Sequence, residues 1–240
     1  MIILIAAAVA TAPPSTAQVA SDVTCLSRPQ IDQQICLATQ HAAAGRHADA
    51  AEEFEKGAEL SRQVAAAFPD IRAHRALAAA GNMWIAAGQP GKAALALDRA
   101  LNGTALQAEQ RGEALIDRAR AAELQNDLKM ARAKLTEAAA TVSGDPFYWY
   151  FSAALAIREG DRATAQAAIN KALTLAPTDP TILFEAGHVA FFVGDEDKAR
   201  SYWMRAAGND PDGSVGKAAA KAVEMLGVTP TVKTEAQTPK

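Results

Sequence analysis

Cysteine and histidine are the most chemically distinctive residues in this chain, and both are scarce. The chain has two cysteines and four histidines, which are Cys25, Cys36, His41, His47, His74 and His188. Gly45, where a helix is predicted to end, separates His41 from His47. Cys36 and His41 are five residues apart, which is about 140° around a helix and therefore not one face. We predict no thiol–imidazole pair and no metal site.

Motifs that support catalysis are also missing from the sequence. It contains no HExxH or CxxC spacing for zinc, no GxGxxG or GxxxxGK[ST] phosphate loop and no GxSxG nucleophile elbow. Acidic neighbours such as Glu52 and Glu53 are typical of a solvated helix face. We therefore expect a protein that is not an enzyme and uses no cofactor.

The N-terminal residues have the pattern of a secretory signal peptide. An apolar run over 2–10 is followed by Pro13 and Pro14 and then by small residues up to Ala17. The run is roughly half of the ~20 residues that a membrane helix needs. We predict that residues 1–17 are cleaved, that the protein is periplasmic or secreted, and that its mature form has no integral membrane span. A retained N-terminal anchor and an incorrectly assigned start are the alternatives.

Both cysteines follow the predicted cleavage site. An even cysteine number in an exported protein indicates a disulfide. A Cys25–Cys36 bond would attach the segment 18–30 to the first helix. Two free, partly buried thiols are the alternative.

The composition indicates many short helices. Hydrophobic residues make up 50% of the 240 residues but aromatics only 5%, because much of the apolar content is alanine, the strongest helix former. The formal charge of −3 comes without a basic stripe, so nucleic acid is not an expected partner.

An internal repeat determines the architecture. Gly160 and Gly194 lie 34 residues apart, and so do Pro177 and Pro211. The register extends towards the N-terminus and gives five units that begin near Ile31, His74, Gly112, Pro146 and Pro180. In each unit a first helix is predicted to end at Gly or Asn, the residues suited to a left-handed C-cap. A second helix then carries a small alanine and, four residues later, a large side chain.

These units resemble the tetratricopeptide repeat family, a 34-residue helix-turn-helix repeat. The fourth unit carries its landmarks at Trp149, Ala153, Gly160, Ala165, Ala172 and Pro177. The resemblance implies an all-α, right-handed superhelical solenoid over 31–227. It consists of about five units and a capping helix over 214–226, and residues 228–240 are predicted to be disordered.

The resemblance also implies a concave groove lined by the first helix of each unit, which binds a peptide or helix of another protein. By register the groove residues are Arg120, Phe147, Tyr150, Ile157, Arg158, Phe184, His188, Phe191 and Phe192. Some of the five consecutive aromatics over 147–151 are expected to face a partner, because successive residues turn around the helix. Packing between helices is the alternative for Trp149, Tyr148 and Phe192.

The function expected from this pattern is a non-catalytic interaction scaffold or adaptor of the periplasm or cell envelope. The alternative is a structural, homo-oligomeric subunit of an envelope complex, in which the chain's partner is itself. A groove for a lipid or other apolar small molecule is a weaker alternative, because it needs a closed pocket.

Overall fold

The structure is a computed structural model, and it describes residues 25–64 and 71–227. The predicted signal peptide 1–17 and the predicted tail 228–240 lie outside these residues. The described part is helical throughout and contains no strand. Its helices are α1 Gln30–Ala43, α2 His47–Val64, α3 Ile71–Ala86, α4 Pro90–Leu101, α5 Ala108–Leu124, α6 Leu128–Val142, α7 Pro146–Glu159, α8 Arg162–Leu175, α9 Pro180–Val193, α10 Glu196–Asn209 and α11 Ser214–Gly227.

The helices pair as the repeat predicts. The first helices of the five units begin at Gln30, Ile71, Ala108, Pro146 and Pro180, at or within four residues of the predicted starts. Just after each of these helices, one residue has a positive φ. In chain order these residues are Gly45, Gly88, Asn126, Gly160 and Gly194. Gly and Asn adopt this left-handed conformation most readily, so the prediction of Gly or Asn at these turns is confirmed.

The chain divides into two compact units that each contain more than one repeat. The first unit ends at Leu106 and the second begins at Gln107, and from here on "unit" refers to these two. In the first unit α2 packs on both α1 and α3, and α3 packs on α4. Cys36 of α1 is joined to Cys25 by a disulfide with a Cα–Cα distance of 5.5 Å. Trp84 is buried, and its indole N–H donates to the Glu55 carboxylate at 3.0 Å.

A close helix crossing organises the first unit. A Cβ atom on Gly81 of α3 would overlap Cγ of Leu97 in α4, so this position accepts only glycine without movement of the leucine. Ala93, the small residue of the second helix, is fully buried. The small-and-large pattern in the sequence thus reflects the distance between paired helices.

The second unit contains α5–α11 and extends the same arrangement. Five of its helices, α6–α10, begin after an aspartate whose carboxylate accepts a backbone N–H, and these are Asp127, Asp145, Asp161, Asp179 and Asp195. The side-chain caps satisfy donors that have no partner inside the helix. Pro146 and Pro180 follow at the first helical position, where proline needs no N–H bond.

Two apolar clusters hold the second unit together. One joins α7, α8 and α9 around Ile169 and Ile182, and the other joins α9, α10 and α11 around Leu183 and Trp203. α11 contributes Ala219 and Leu226 to the second cluster. The predicted terminal helix is therefore present and covers one face of α9 and α10.

Candidate functional site

An open cleft lies on the α7–α9 side of the second unit. It has a volume of about 510 Å³. We call it the aromatic cleft, and its lining residues are Ala154, Ile157, Glu185, His188, Phe191 and Phe192. Each belongs to the first helix of a repeat, two to α7 and four to α9. The spacing of three or four residues along α9 places its four residues on one side of that helix.

The apolar walls of the aromatic cleft differ in how much they are exposed. Phe191 is 50% exposed, although it is a large apolar residue. Phe192 and Ile157 are partly buried because they also pack against the α7–α8–α9 cluster. The Phe191 ring lies 6.2 Å from Trp203, centroid to centroid, so one side of it is supported by the core. The cleft therefore presents a supported aromatic ring to solvent.

The polar part of the cleft is a carboxylate beside an imidazole. Glu185 is only 8% exposed, and its Oε2 atom lies 3.1 Å from Nδ1 of His188. The His188 ring contacts Phe184 at 4.4 Å and Trp203 at 5.6 Å between centroids, both edge to face. These contacts fix the imidazole in place while leaving its side chain 41% exposed. The carboxylate is thus held beneath a partly accessible ring.

Tyr150 of α7 interacts electrostatically with Glu185 of the Glu185–His188 pair and with Arg120 and Glu123 of α5. Burial raises the pKa of Tyr150, the negative charges of Glu185 and Glu123 raise that pKa further, and Arg120 opposes them. The phenol is therefore neutral over the ordinary pH range and can act as a hydrogen-bond donor. Phe147 lies one turn away, with its ring 6.3 Å from Tyr150 and 47% of its surface exposed.

The two arginines predicted for the groove are engaged within the protein. Arg158 donates to the Glu123 carboxylate at 2.6 Å, to the Glu123 carbonyl at 3.0 Å and to the Asn126 side chain at 3.0 Å. Arg120 donates to Asp117 at 2.9 Å. Arg158 therefore ties α7 to the end of α5, and neither arginine lines the aromatic cleft.

The predicted groove residues fall into three groups. Ile157, His188, Phe191 and Phe192 line the cleft. Tyr150, Phe147, Arg120 and Arg158 lie on the first helices α5 and α7 but outside the lining. Phe184 of α9 is partly buried against the α9–α10–α11 cluster, and its carbonyl accepts the Trp203 indole N–H at 3.0 Å.

Glu185 is the cleft residue that the sequence reasoning missed. It is the only charged residue of α9 apart from the titratable His188, within the otherwise apolar PTILFEAGHVAFFV. It also precedes His188 by three residues, which places both on one helix face. A single carboxylate three residues before a histidine in an apolar helix is the feature of the sequence that could have identified Glu185.

The five consecutive aromatics divide between core and surface. Tyr148 and Phe151 are buried, and Trp149 is partly buried with its indole N–H donated to the Ser143 carbonyl at 2.8 Å. The alternative of packing between helices thus describes Trp149 and Tyr148. Phe147 is exposed and Tyr150 is partly buried, and their rings contact each other edge to face.

The lining of the cleft is mainly apolar, with one carboxylate and one imidazole. Its lining includes no hydroxyl or thiol that could act as a nucleophile beside the Glu185–His188 pair. Within 25–64 and 71–227, no three His, Cys, Asp or Glu side chains are grouped as metal ligands would be. Over the same ranges, no helix has both the length and the apolar character of a transmembrane span.

A second cleft lies in the first unit and has different walls. It has a volume of about 360 Å³, and small side chains and arginines dominate its lining. The lining residues are Ile31, Asp32, Ile35, Phe54, Gly57, Ser61, Arg72, Arg75, Ala76 and Ala79. A large exposed apolar ring comparable to Phe191 is not among them.

Comparison with protein families and solved structures supports the repeat. The tetratricopeptide repeat model matches residues 148–179, which are most of the α7–α8 pair and the turn before α9. No curated protein matches the chain at a significant level.

The solved structures that resemble the chain share its fold. A thermophilic TPR protein from Thermus thermophilus has a TM-score of 0.62 and 19% identity, covering 81% of this chain and 99% of its own. MamA has a TM-score of 0.57 and 16% identity, with 76% and 92% covered. YrrB, a TPR protein with an unusual peptide-binding site, has a TM-score of 0.53 and 17% identity, with 84% and 98% covered. At these identities the likeness establishes an all-α helical repeat solenoid.

Proposed function

We propose that this helical repeat solenoid, of which residues 148–179 match the tetratricopeptide repeat model, is a non-catalytic scaffold or adaptor. It binds a segment of another protein, extended or helical, on the face formed by α5, α7 and α9. One observation carries the proposal, which is the half-exposed Phe191 ring in an open cleft between first helices. Exposed apolar surface in a concave site is typical of interaction sites, and aromatic anchors dominate binding energy there.

The internal bonding of this face supports a role in binding. Arg158 fixes α7 relative to α5, and Trp203 supports both His188 and Phe191 from α10. A face whose side chains are already held in position loses less conformational entropy when a partner binds. YrrB, whose structure has the same fold, has an unusual peptide-binding site, and this is a further argument for the proposal.

Photo-crosslinking tests where the partner binds. A photo-reactive residue replaces Phe191 in one variant and Leu175 in the control, because Leu175 is also apolar, 46% exposed and in the second unit but lies on a second helix. We expect one heterologous protein to be captured at position 191 and not at 175, with the crosslink mapped to one short segment. Equal capture at both positions would show that the face has no special role.

The same experiment separates the adaptor from the structural alternative. Crosslinks between two copies of the chain at position 191, together with a stable dimer or larger assembly in sedimentation, would replace the adaptor with a homo-oligomeric subunit. The adaptor requires a monomer in solution whose Phe191 is accessible.

The proposed location is the periplasm or the exterior of the cell. The apolar N-terminal run and the small residues before Ala17 support export, and a Cys25–Cys36 disulfide suits an oxidising compartment. Mass spectrometry of the protein from fractionated cells should show a chain that begins at Gln18 in the periplasm or medium. A chain that retains Met1 in the membrane fraction would indicate an anchor instead.

A further inference from the structure

The lining of the aromatic cleft contains one carboxylate and no lysine or arginine. Glu185 lines the cleft, is almost fully buried and finds its one ion-pair partner among the described residues in His188. The two arginines predicted for the groove form ion pairs with other carboxylates, Arg120 with Asp117 and Arg158 with Glu123. The lining of the cleft therefore contains no lysine or arginine beside the Glu185 carboxylate.

One more cation lies near the cleft without entering it. The Arg162 guanidinium is 5.5 Å from the centre of the Phe192 ring, but Arg162 does not line the cleft. The contact shows that the Phe192 ring already attracts a cation on this protein, as the ring quadrupole predicts. The cleft itself therefore combines aromatic walls with a negative floor.

We infer that the aromatic cleft receives a lysine or arginine side chain projecting from the partner segment. The methylene stem would pack on Ile157, Phe191 and Phe192 while the charged head approaches the Glu185 carboxylate. Lysine and arginine are the side chains that combine an apolar stem with a terminal cation. This assignment rests on the proposed function, since it specifies the chemistry of the segment that the groove binds.

The energetics exclude the two other kinds of anchor. A purely apolar side chain would gain only from the burial of its own surface. It would also remove the remaining solvent from Glu185, and desolvating a carboxylate without a new partner is unfavourable. A carboxylate or phosphate would meet the Glu185 charge directly and be repelled. A side chain that ends in a cation gains from both the apolar walls and the Glu185 carboxylate, and its charge distinguishes it from neutral donors.

Peptide selection on the whole protein tests the inference and does not require the partner to be identified first. Random twelve-residue peptides displayed on phage are selected on the wild type, on Glu185→Gln and on Phe191→Ser. The glutamine keeps the size of Glu185 and can still bond to His188, but it removes the charge. We expect the wild type to enrich peptides with lysine or arginine at one fixed position beside an apolar residue, Glu185→Gln to lose that basic preference, and Phe191→Ser to enrich none of these peptides.

A measurement on the wild type alone guards against a Glu185→Gln variant that fails to fold. The best selected peptide is synthesised with its basic residue and with norleucine, which keeps the stem and lacks the ammonium. We expect norleucine to weaken binding to the wild type by about tenfold, as a charge-assisted hydrogen bond would. On folded Glu185→Gln the same change should alter affinity less than twofold.

The peptide selection gives different results if the basic side chain is wrong and if the binding face is wrong. Peptides that depend on Phe191 but carry an acidic or purely apolar anchor would overturn the basic side chain and leave the binding face intact. Equal affinities of the lysine and norleucine peptides for the wild type would do the same. Failure of the wild type to enrich any peptide above the Phe191→Ser background would overturn both the binding face and the basic side chain.

Discussion

The start of α1 in the first unit and the start of α9 in the second are fixed by different means. α1 follows Pro29, which provides no side-chain cap, and is attached through Cys36 to Cys25. α9 follows Asp179, whose carboxylate accepts the N–H groups of both Thr181 and Ile182. A covalent link thus holds one helix where local hydrogen bonds hold the other. The start of α9 is therefore stabilised by its own local sequence, whereas α1 is additionally held by a bond that requires oxidation.

The clefts of the two units differ in a corresponding way. The first-unit cleft is lined by small residues, by Arg72 and Arg75 and by larger apolar side chains, and its one aromatic ring, Phe54, is partly buried. The aromatic cleft carries Phe191 and a buried carboxylate. The same repeat therefore forms two surfaces of different chemistry, and only the second has the anchor expected of an interaction site.

Breaking the disulfide should have the largest effect on stability. Removing a bond between residues 11 apart costs about 3 kcal/mol on the chain-entropy model. In Cys25→Ser/Cys36→Ser, hydrogen exchange of α1 and α2 should accelerate, while exchange in α7–α10 stays unchanged. The comparison between the units fails if exchange accelerates equally in both.

Filling the close helix crossings should have the next largest effect, and it should differ between the units. A Cβ atom at Gly187 would overlap Nε1 of Trp203, whose N–H is bonded to the Phe184 carbonyl. At Gly81 it meets Leu97, which can change rotamer more easily than an indole. We expect Gly187→Ala to cost about 2 kcal/mol and Gly81→Ala about 1 kcal/mol by denaturant unfolding.

Gly208→Ala is the matched control for both changes. Gly208 lies in α10, and a Cβ atom there would contact nothing within 4 Å. This alanine should stabilise the protein by about 0.5–1 kcal/mol, because it favours the helix without a clash. If all three alanines had the same effect, helix propensity alone would explain them.

Removing a side-chain cap should have an intermediate effect confined to α9. Asp179→Ala leaves two N–H groups at the start of α9 without their acceptor, at a cost of about 1 kcal/mol. Chemical denaturation measures the loss, and Asp179→Asn, which also caps well, should restore most of it. An equal loss in both variants would mean that the carboxylate charge, rather than the cap, stabilises this helix.

Removing the exposed ring should have the smallest effect on folding. Phe191→Ser deletes a half-exposed side chain and should change the free energy of unfolding by less than about 1 kcal/mol. Thermal unfolding by circular dichroism measures it. A loss of several kcal/mol would identify Phe191 as a core residue and remove the argument for a binding anchor.

The sequence predicted the helix pairs because their determinants are local. Gly160 and Gly194 require a left-handed turn, Pro146 and Pro180 suit the first helical position, and these signals recur with the repeat. The register also identified the first helices, because they alternate with second helices along the chain, and every residue that lines the aromatic cleft lies on one of them.

The details of the cleft depend on neighbours that local signals do not encode. Arg158 was expected to face a partner, but it is bonded to Glu123 and Asn126, 35 and 32 residues away in sequence. The burial of Glu185 follows from how α9 is rotated against α7 and α10. Helical periodicity alone fixes such a rotation only to within the width of an apolar stripe.

The affinity of the partner segment captured at position 191 decides whether the α5–α7–α9 face is a binding surface. The segment is synthesised and its binding to wild type, Phe191→Ser and Leu175→Ser is measured by fluorescence anisotropy. We predict that Phe191→Ser weakens binding at least about tenfold, as expected for an aromatic anchor, and that Leu175→Ser changes it less than twofold. Equal affinities for all three proteins would contradict the assignment of this face as the binding surface.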